Sequence, residues 1–189
     1  MKLQTKKLIN FIFELGQLRR IKHEGWRIVG VDNPESVAEH SLRAAQIAYI
    51  LAKMENYSNP EEVCSMVVFH DIEECRIGDI HKVANRYLNF KKNLAIDEQT
   101  KDLGEIGKAI NNLWKQVEEK KSRAGIIAKD SDLLEAAFTA REYKEKGVPL
   151  MDLWLKNYLQ FLKTETAKQI LNELIKIDLI WWWKDLKEY

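Results

Sequence analysis

The chain has 189 residues, 46% hydrophobic and 31% charged, which is a globular composition and not a disordered one. Its 30 Lys and Arg against 29 Asp and Glu leave a formal charge of +1. That balance argues against a surface built to coat a nucleic-acid polymer, while a small phosphorylated metabolite, which needs only a few local cations, stays open.

Lys2, Lys6 and Lys7 open the chain without the apolar run of a signal peptide, so a soluble, cytoplasmic protein is expected. Leu8, Ile12, Leu15 and Leu18 recur at spacings of three and four, which predicts an amphipathic helix over residues 3–20. From Ile21 to Asn33 the period is lost, and Gly25, Gly30 and Asp32 predict a loop. Asn33-Pro34 reads as a helix start, and Val37, Ala44, Ile47 and Leu51 form the stripe that follows. Asn59-Pro60 repeats the signal for a helix through Val63, Met66 and Val67 to Gly78. Cys64 and Cys75 fall in that one helix, about 16 Å apart along its axis, too far for a disulfide, so reduced thiols are expected.

Residues 80–97 read as a short helix and a loop, and 98–121 as a helix polar on most faces. A strong helix over 124–146 stops at Gly147-Val148-Pro149, and helices over 149–163 and 165–186 finish the chain. The apolar patch 179–183 is too short to span a bilayer and suits a packing or dimer surface. No segment alternates with period two, so the expected class is all-α in a single domain.

His40 lies on the apolar stripe of its helix, between Val37 and Ala44. A buried imidazole needs partners for its nitrogens, and either a backbone carbonyl or a metal would serve. His70-Asp71 continues the buried side of Val63, Met66 and Val67, where an aspartate is costly unless paired or metal-bound. Glu74, three residues after Asp71 and four after His70, shares one helix face with them, while one of the adjacent pair Glu73 and Glu74 is expected in water. Lys129-Asp130-Ser131-Asp132 stands inside an apolar helix that disfavours aspartate. Asp130 is in register with Ile127 and Leu134, Asp132 with Ala128 and Ala136, and periodicity leaves both open.

Two imidazoles and two carboxylates from three helices suit one divalent transition metal with open positions: Mn, Co, Fe, Ni or Zn. The thiolates of a structural zinc site are missing. Open positions mean bound water, hence hydrolysis. His23 and His81 read as surface histidines outside that shell.

The series His40, His70-Asp71 and Asp132 resembles the H…HD…D signature of the HD-domain metal-dependent phosphohydrolases. The stretches 35–41, 70–74, Gly78-Asp79 and 129–132 are similar to its 5′-deoxynucleotidase branch, a likeness spanning residues 8–146. The resemblance implies an HD-type helical bundle around a central metal, with core 8–146 and C-terminal helices over 149–186 packed on it. It puts the metal on His40, His70, Asp71 and Asp132, taking Asp132 over Asp130.

It also makes Glu74 the catalytic glutamate and sets Asp79 beside the substrate in the catalytic group. Trp26 becomes a sugar wall that disfavours a ribose 2′-hydroxyl; without the resemblance it reads equally well as a loop anchor. Where bacterial relatives carry a phosphate-binding arginine before that tryptophan, this chain has Gly25. The cation then falls to Arg19, Arg20, Lys22 or Arg27, with Arg20 favoured, and Lys82 is a further phosphate ligand.

The implied activity is hydrolysis of nucleoside 5′-monophosphates, preferably deoxyribonucleotides, by a homodimer with no nucleic-acid polymer or membrane as partner. A second expectation is an HD phosphohydrolase acting on a nucleoside triphosphate, cyclic dinucleotide or alarmone, which would want a larger basic cluster. A third is a non-catalytic helical binding module. Against it stands the complete set of ligands and acid.

Overall fold

The structure is a computed structural model that describes residues 2–182 and 184. Its helices are α1 (Lys2–Leu15), α2 (Val37–Met54), α3 (Pro60–Val68), α4 (Glu74–Ile77), α5 (Lys82–Asn85), α6 (Lys92–Thr100), α7 (Glu105–Glu119), α8 (Arg123–Glu145), α9 (Met151–Phe161) and α10 (Glu165–Leu174). Short 3-10 turns cover Gly16–Arg19, Glu24–Val29 and Lys101–Leu103. Among the described residues the strand-like pairing is confined to one antiparallel bridge between Lys22 and Ser36. The class is all-α, as expected.

Helix α2 packs against α3 and α8, and α8 carries α9 and α10 on its other sides. Ala44, Ala45, Ala48 and Ala52 on α2 and Ala124, Ala128, Ala137 and Ala140 on α8 are buried. Such small side chains let helix axes approach closely. Leu51, Val63, Met66, Ile127 and Leu134 belong to the same core, each burial contributing about 1.5–3 kcal/mol. A second cluster of Phe11, Leu18, Val37, Ile72, Ile96 and Trp114 ties α1, α6 and α7 to the start of α2. Val37 is in this cluster and Ala44 in the first, so His40 stands between two apolar masses.

Helix α2 starts at Val37 and not at Pro34. Ser36 Oγ accepts from the Glu39 backbone N–H at 3.3 Å, and the Glu39 carboxylate accepts from the Ser36 N–H at 2.6 Å. This reciprocal box satisfies two backbone donors and outcompetes a lone Asn33 cap. The Asn59-Pro60 start holds, with Asn59 Oδ1 accepting from the Glu62 N–H at 3.3 Å.

The helix expected from there to Gly78 is broken. Helix α3 ends at Val68, residues 69–73 form turns, and α4 resumes at Glu74. His70 Nδ1 donates to the Val67 carbonyl at 2.7 Å, an acceptor that a continuous helix would give to the Asp71 N–H. Gln99 Nε2 donates to the Ile72 carbonyl at 2.8 Å and holds the turn from α6. Cys64 and Cys75 therefore lie in different helices, and both are free.

The stretch 80–97 holds α5 and the start of α6, and the helix expected over 98–121 is split after Thr100. Helix α7 crosses that end so closely that a Cβ on Gly107 would sit 2.0 Å from the Thr100 carbonyl oxygen. Helix α10 ends at Leu174, short of residue 186. Asp178 Oδ1 there accepts from the Ile180 N–H at 3.1 Å, a local turn that competes with helix. Trp181 and Trp182 are exposed, while Trp183 and residues 185–186 fall outside the described residues.

Asp130 owes its place on the apolar stripe to α10. Its carboxylate accepts from the Lys163 N–H at 3.0 Å and from the Thr164 N–H and Oγ1–H at 2.7 Å each. Asp130→Ala strands these donors and is expected to cost about 1–3 kcal/mol. Thermal melts would check the loss, and a metal-binding titration of the same variant should match wild type.

Candidate metal centre

Four polar side chains converge where α2, the 69–73 turn and α8 meet. His40 Nε2 and His70 Nε2 lie 3.4 Å apart. Asp132 Oδ1 is 3.1 Å from His40 Nε2 and 3.7 Å from His70 Nε2. Asp71 Oδ2 is 2.9 Å from His70 Nε2 and 4.0 Å from His40 Nε2. Each imidazole Nε2 thus lies within 4.0 Å of both carboxylates.

The far nitrogen of each ring is held. His70 Nδ1–H donates to Val67, and His40 Nδ1–H donates to the Glu135 carboxylate, which has no exposed surface. Glu135 also accepts from Arg43 Nε at 2.8 Å and from Thr139 Oγ1 at 3.1 Å. A carboxylate or carbonyl can only accept, so in each neutral ring the hydrogen sits on Nδ1 and the Nε2 lone pair faces the cluster.

Left to itself, this cluster binds protons. Burial disfavours the charged ring of His40, but Asp132 and Glu135 outweigh it and raise the pKa to about 10. His70 is raised well above its usual value, with Asp71 and Asp132 overcoming burial. Burial opposes ionisation of Asp132, yet Lys129, His40 and His70 hold it well below the usual carboxylate range. Glu74 goes the other way: burial, then the charges of Asp71, Asp79 and Glu73, push it up to about 10.

The residues fit a divalent metal. Two imidazole nitrogens facing each other between two carboxylates need a shared cation, and one ion replaces the protons that otherwise relieve them. Glu74 Oε2 adds a buried oxygen that has no hydrogen-bond partner. The nitrogen and oxygen donors, with no thiolate, suit the Mn, Co, Fe, Ni or Zn range.

Of the adjacent glutamates neither is in water. Glu73 is fully buried, accepting from Trp114 Nε1 at 2.7 Å and pairing with Lys92 at 3.0 Å, and Glu74 is buried beside it. The expectation of one solvated acid assumed an unbroken helix, and the 69–73 turn removes that period.

A cavity of about 460 Å³ opens beside the centre, lined among others by His23, Trp26, His40, Asp79 and Asp132. Glu74, His70 and Asp71 are not among its lining residues. Trp26 is buried, its ring stacked on Trp154 at 4.7 Å and edge-on to Tyr143 at 5.2 Å. Asp79 Oδ2 accepts from the Glu24 N–H at 2.6 Å and anchors the turn that carries Trp26. Lys82 lines the cavity with Nζ over the Phe161 ring, and Lys129 lines it with Nζ 2.5 Å from Asp132 Oδ2.

Arg20, the favoured phosphate cation, is exposed and does not line the cavity. Arg19 and Lys22 do not line it either, and Arg27 is engaged by Glu24 and the Asp32 carbonyl at 2.9 Å each. Position 25 borders Trp154, whose ring lies 3.7 Å from where a Cβ would stand.

His23 is not a surface histidine. Its side chain is 16% exposed, and its ring lies 4.4 Å from that of His40. His81 caps α5, its Nδ1 accepting from the Ala84 N–H at 3.1 Å. Glu135, Lys129, His23 and the α9 wall of Trp154, Tyr158 and Phe161 were all missed in the sequence. The aromatic spacing of four and three on α9 was the available signal.

A family model described as the HD domain matches residues 15–174. The chain is similar to a protein of Dictyostelium discoideum named 5′-deoxynucleotidase HDDC2, 31% identical over 148 residues, covering 73% of this chain and 78% of that one. The Bos taurus protein of the same name is 29% identical over 177 residues, covering 90% and 85%. Among solved structures, a conserved hypothetical protein from Pyrococcus furiosus aligns with a TM-score of 0.71 and 29% identity, covering 89% of this chain and 99% of that one.

Proposed function

This chain belongs to the HD-domain family, and from that premise we propose that it is a phosphoric monoester hydrolase cleaving nucleoside 5′-monophosphates, deoxyribonucleotides by preference. The observation that carries the reading is the pair of Nε2 atoms 3.4 Å apart between Asp71 and Asp132, beside a cavity large enough for a nucleotide. The likeness to proteins named 5′-deoxynucleotidase supports the substrate class.

His40, His70, Asp71 and Asp132 would hold one divalent ion, which when bound supplies Lewis-acid polarisation of a phosphoryl oxygen and an acidified water. Glu74 holds or takes the proton of the attacking water, its carboxyl already tuned by burial and by Asp71 toward proton binding. Lys82 and Lys129 stand on the cavity wall to meet the phosphoryl oxygens, where charge sits in the transition state. Asp79 fixes the turn bearing Trp26, and Trp26 offers a flat wall to the sugar. Cytoplasmic location and a homodimer go with this reading, with exposed Trp181 and Trp182 as candidate contact surface.

Phosphate release from dAMP and AMP, with and without EDTA, tests it. Chelator-sensitive activity with dAMP ahead of AMP is expected; chelator-resistant release would overturn it. One observation favours a second reading. A cleft of about 1400 Å³ shares Lys82 and Lys129 with the nucleotide cavity and adds Lys91, Lys92, Lys120 and Lys163, a setting for extra phosphates. Triphosphates cleaved faster than monophosphates in the same assay would move the assignment there.

A further inference from the structure

All three histidines near the centre have an oxygen acceptor close to Nδ1. His40 turns Nδ1 to the Glu135 carboxylate and His70 turns Nδ1 to the Val67 carbonyl. His23 Nδ1 lies 3.4 Å from Glu35 Oε1, an ion-pair distance and not a hydrogen bond. In the first two the arrangement frees Nε2 for the cluster, and an oxygen acceptor behind an imidazole is the usual support of a metal-ligating ring. Among the described residues, a ring nitrogen of His23, a ring nitrogen of His40 and a carboxylate oxygen of Asp71 lie within 4.8 Å of one another.

The backbone around His23 is pinned to present it there. The His23 N–H donates to the Glu35 carbonyl at 3.0 Å, and the Val37 N–H donates to the Ile21 carbonyl at 3.0 Å, bracketing the Lys22–Ser36 bridge. The next residue is tied by its N–H to Asp79 at 2.6 Å. Glu35 is itself held, with Thr139 Oγ1 at 3.3 Å, so the ring rests on the same polar network that supports His40.

We propose that His23 is a further protein donor of the metal centre, a third imidazole added to His40, His70, Asp71 and Asp132. The inference rests on the reading of those four as a metal centre. A third neutral imidazole shifts the donor set toward nitrogen, and so toward Co, Ni or Zn and away from Mn.

The test uses the full chain, stripped of metal and titrated with Co(II) against a chromophoric chelator, with the visible spectrum of the bound ion recorded. His23→Ala and His23→Gln are the variants. Gln keeps a donor toward Glu35, so it reads the site even if the Ala variant folds poorly, and metal-free thermal melts monitor folding. Both are expected to weaken Co(II) binding by about 10–100-fold, to change the visible bands and to narrow the preference for Co(II) over Mn(II). His81→Ala, at the fourth histidine, should bind as wild type.

Variants that bind Co(II) like wild type with unchanged bands would overturn the inference and leave the centre standing. So would unchanged Co(II) binding joined to weaker binding of inorganic phosphate, which would make His23 a substrate contact. A wild-type chain that binds no Co(II) would overturn both the centre and the inference.

Discussion

Glu74→Gln should lower kcat for nucleotide hydrolysis by about 10²–10⁴-fold, while the variant still binds metal and keeps a metal-free Tm close to wild type. The substitution keeps the shape of the side chain and removes only its capacity to exchange a proton. Glu74 is buried, and its Oε2 has no hydrogen-bond partner, so no structural bond is lost at that atom. In the metal-free chain the carboxyl is pushed up to about 10 by burial and by Asp71, Asp79 and Glu73, so it carries its proton at neutral pH. A neutral amide therefore replaces a neutral acid, and stability has little reason to change.

A cation held by the four ligands would favour the Glu74 carboxylate, the form that accepts a proton. Glu73 is a useful contrast, because Trp114 and Lys92 occupy it and leave it no such freedom. Steady-state rates on dAMP and a chelator competition would settle the point. Near-wild-type turnover in Glu74→Gln would remove it from the proton transfer and leave Asp79, on the cavity wall, as the acid to test.

What the sequence shows and hides follows from how far each residue's partners lie along the chain. His40 and His70-Asp71 were legible because polar groups break apolar stripes, a local signal. The Asp130–Asp132 ambiguity was not resolvable by period, since both are inward for different reasons: one faces the histidines and the other caps α10 across 34 residues. The break at 69–73 was hidden because its causes are a histidine ring bonding back to Val67 and a glutamine reaching in from α6. His23 looks exposed in the sequence because its burial depends on a two-residue bridge and on Glu35, neither of which has a period. The position of Arg20, exposed and off the cavity wall, was hidden for a similar reason. A 3-10 turn after α1 leaves that side chain in solvent, and the cations that do reach the cavity, Lys82 and Lys129, come from α5 and α8.

Glu135 is the residue on which the centre's geometry rests, and it lies in no motif. Glu135→Ala is expected to weaken metal binding by about 10–100-fold, since an imidazole ligand that loses its supporting acceptor loses both orientation and basicity. It should also cost about 3 kcal/mol of stability, the lower end for breaking a buried ion pair. The lower end applies because Arg43 is 34% exposed and keeps Glu142 at 2.5 Å. Glu135→Gln is no gentle substitute. The carboxylate accepts from His40 Nδ1 with one oxygen and from Arg43 and Thr139 with the other. An amide must turn its NH₂ toward one of those donors, and donor then faces donor in a site without solvent. Both variants should therefore shift the chelator-competition midpoint and the urea midpoint together. A fall in stability with metal affinity unchanged would make Glu135 a structural residue only, and His40 would then owe its orientation to the packing of α2 against α8.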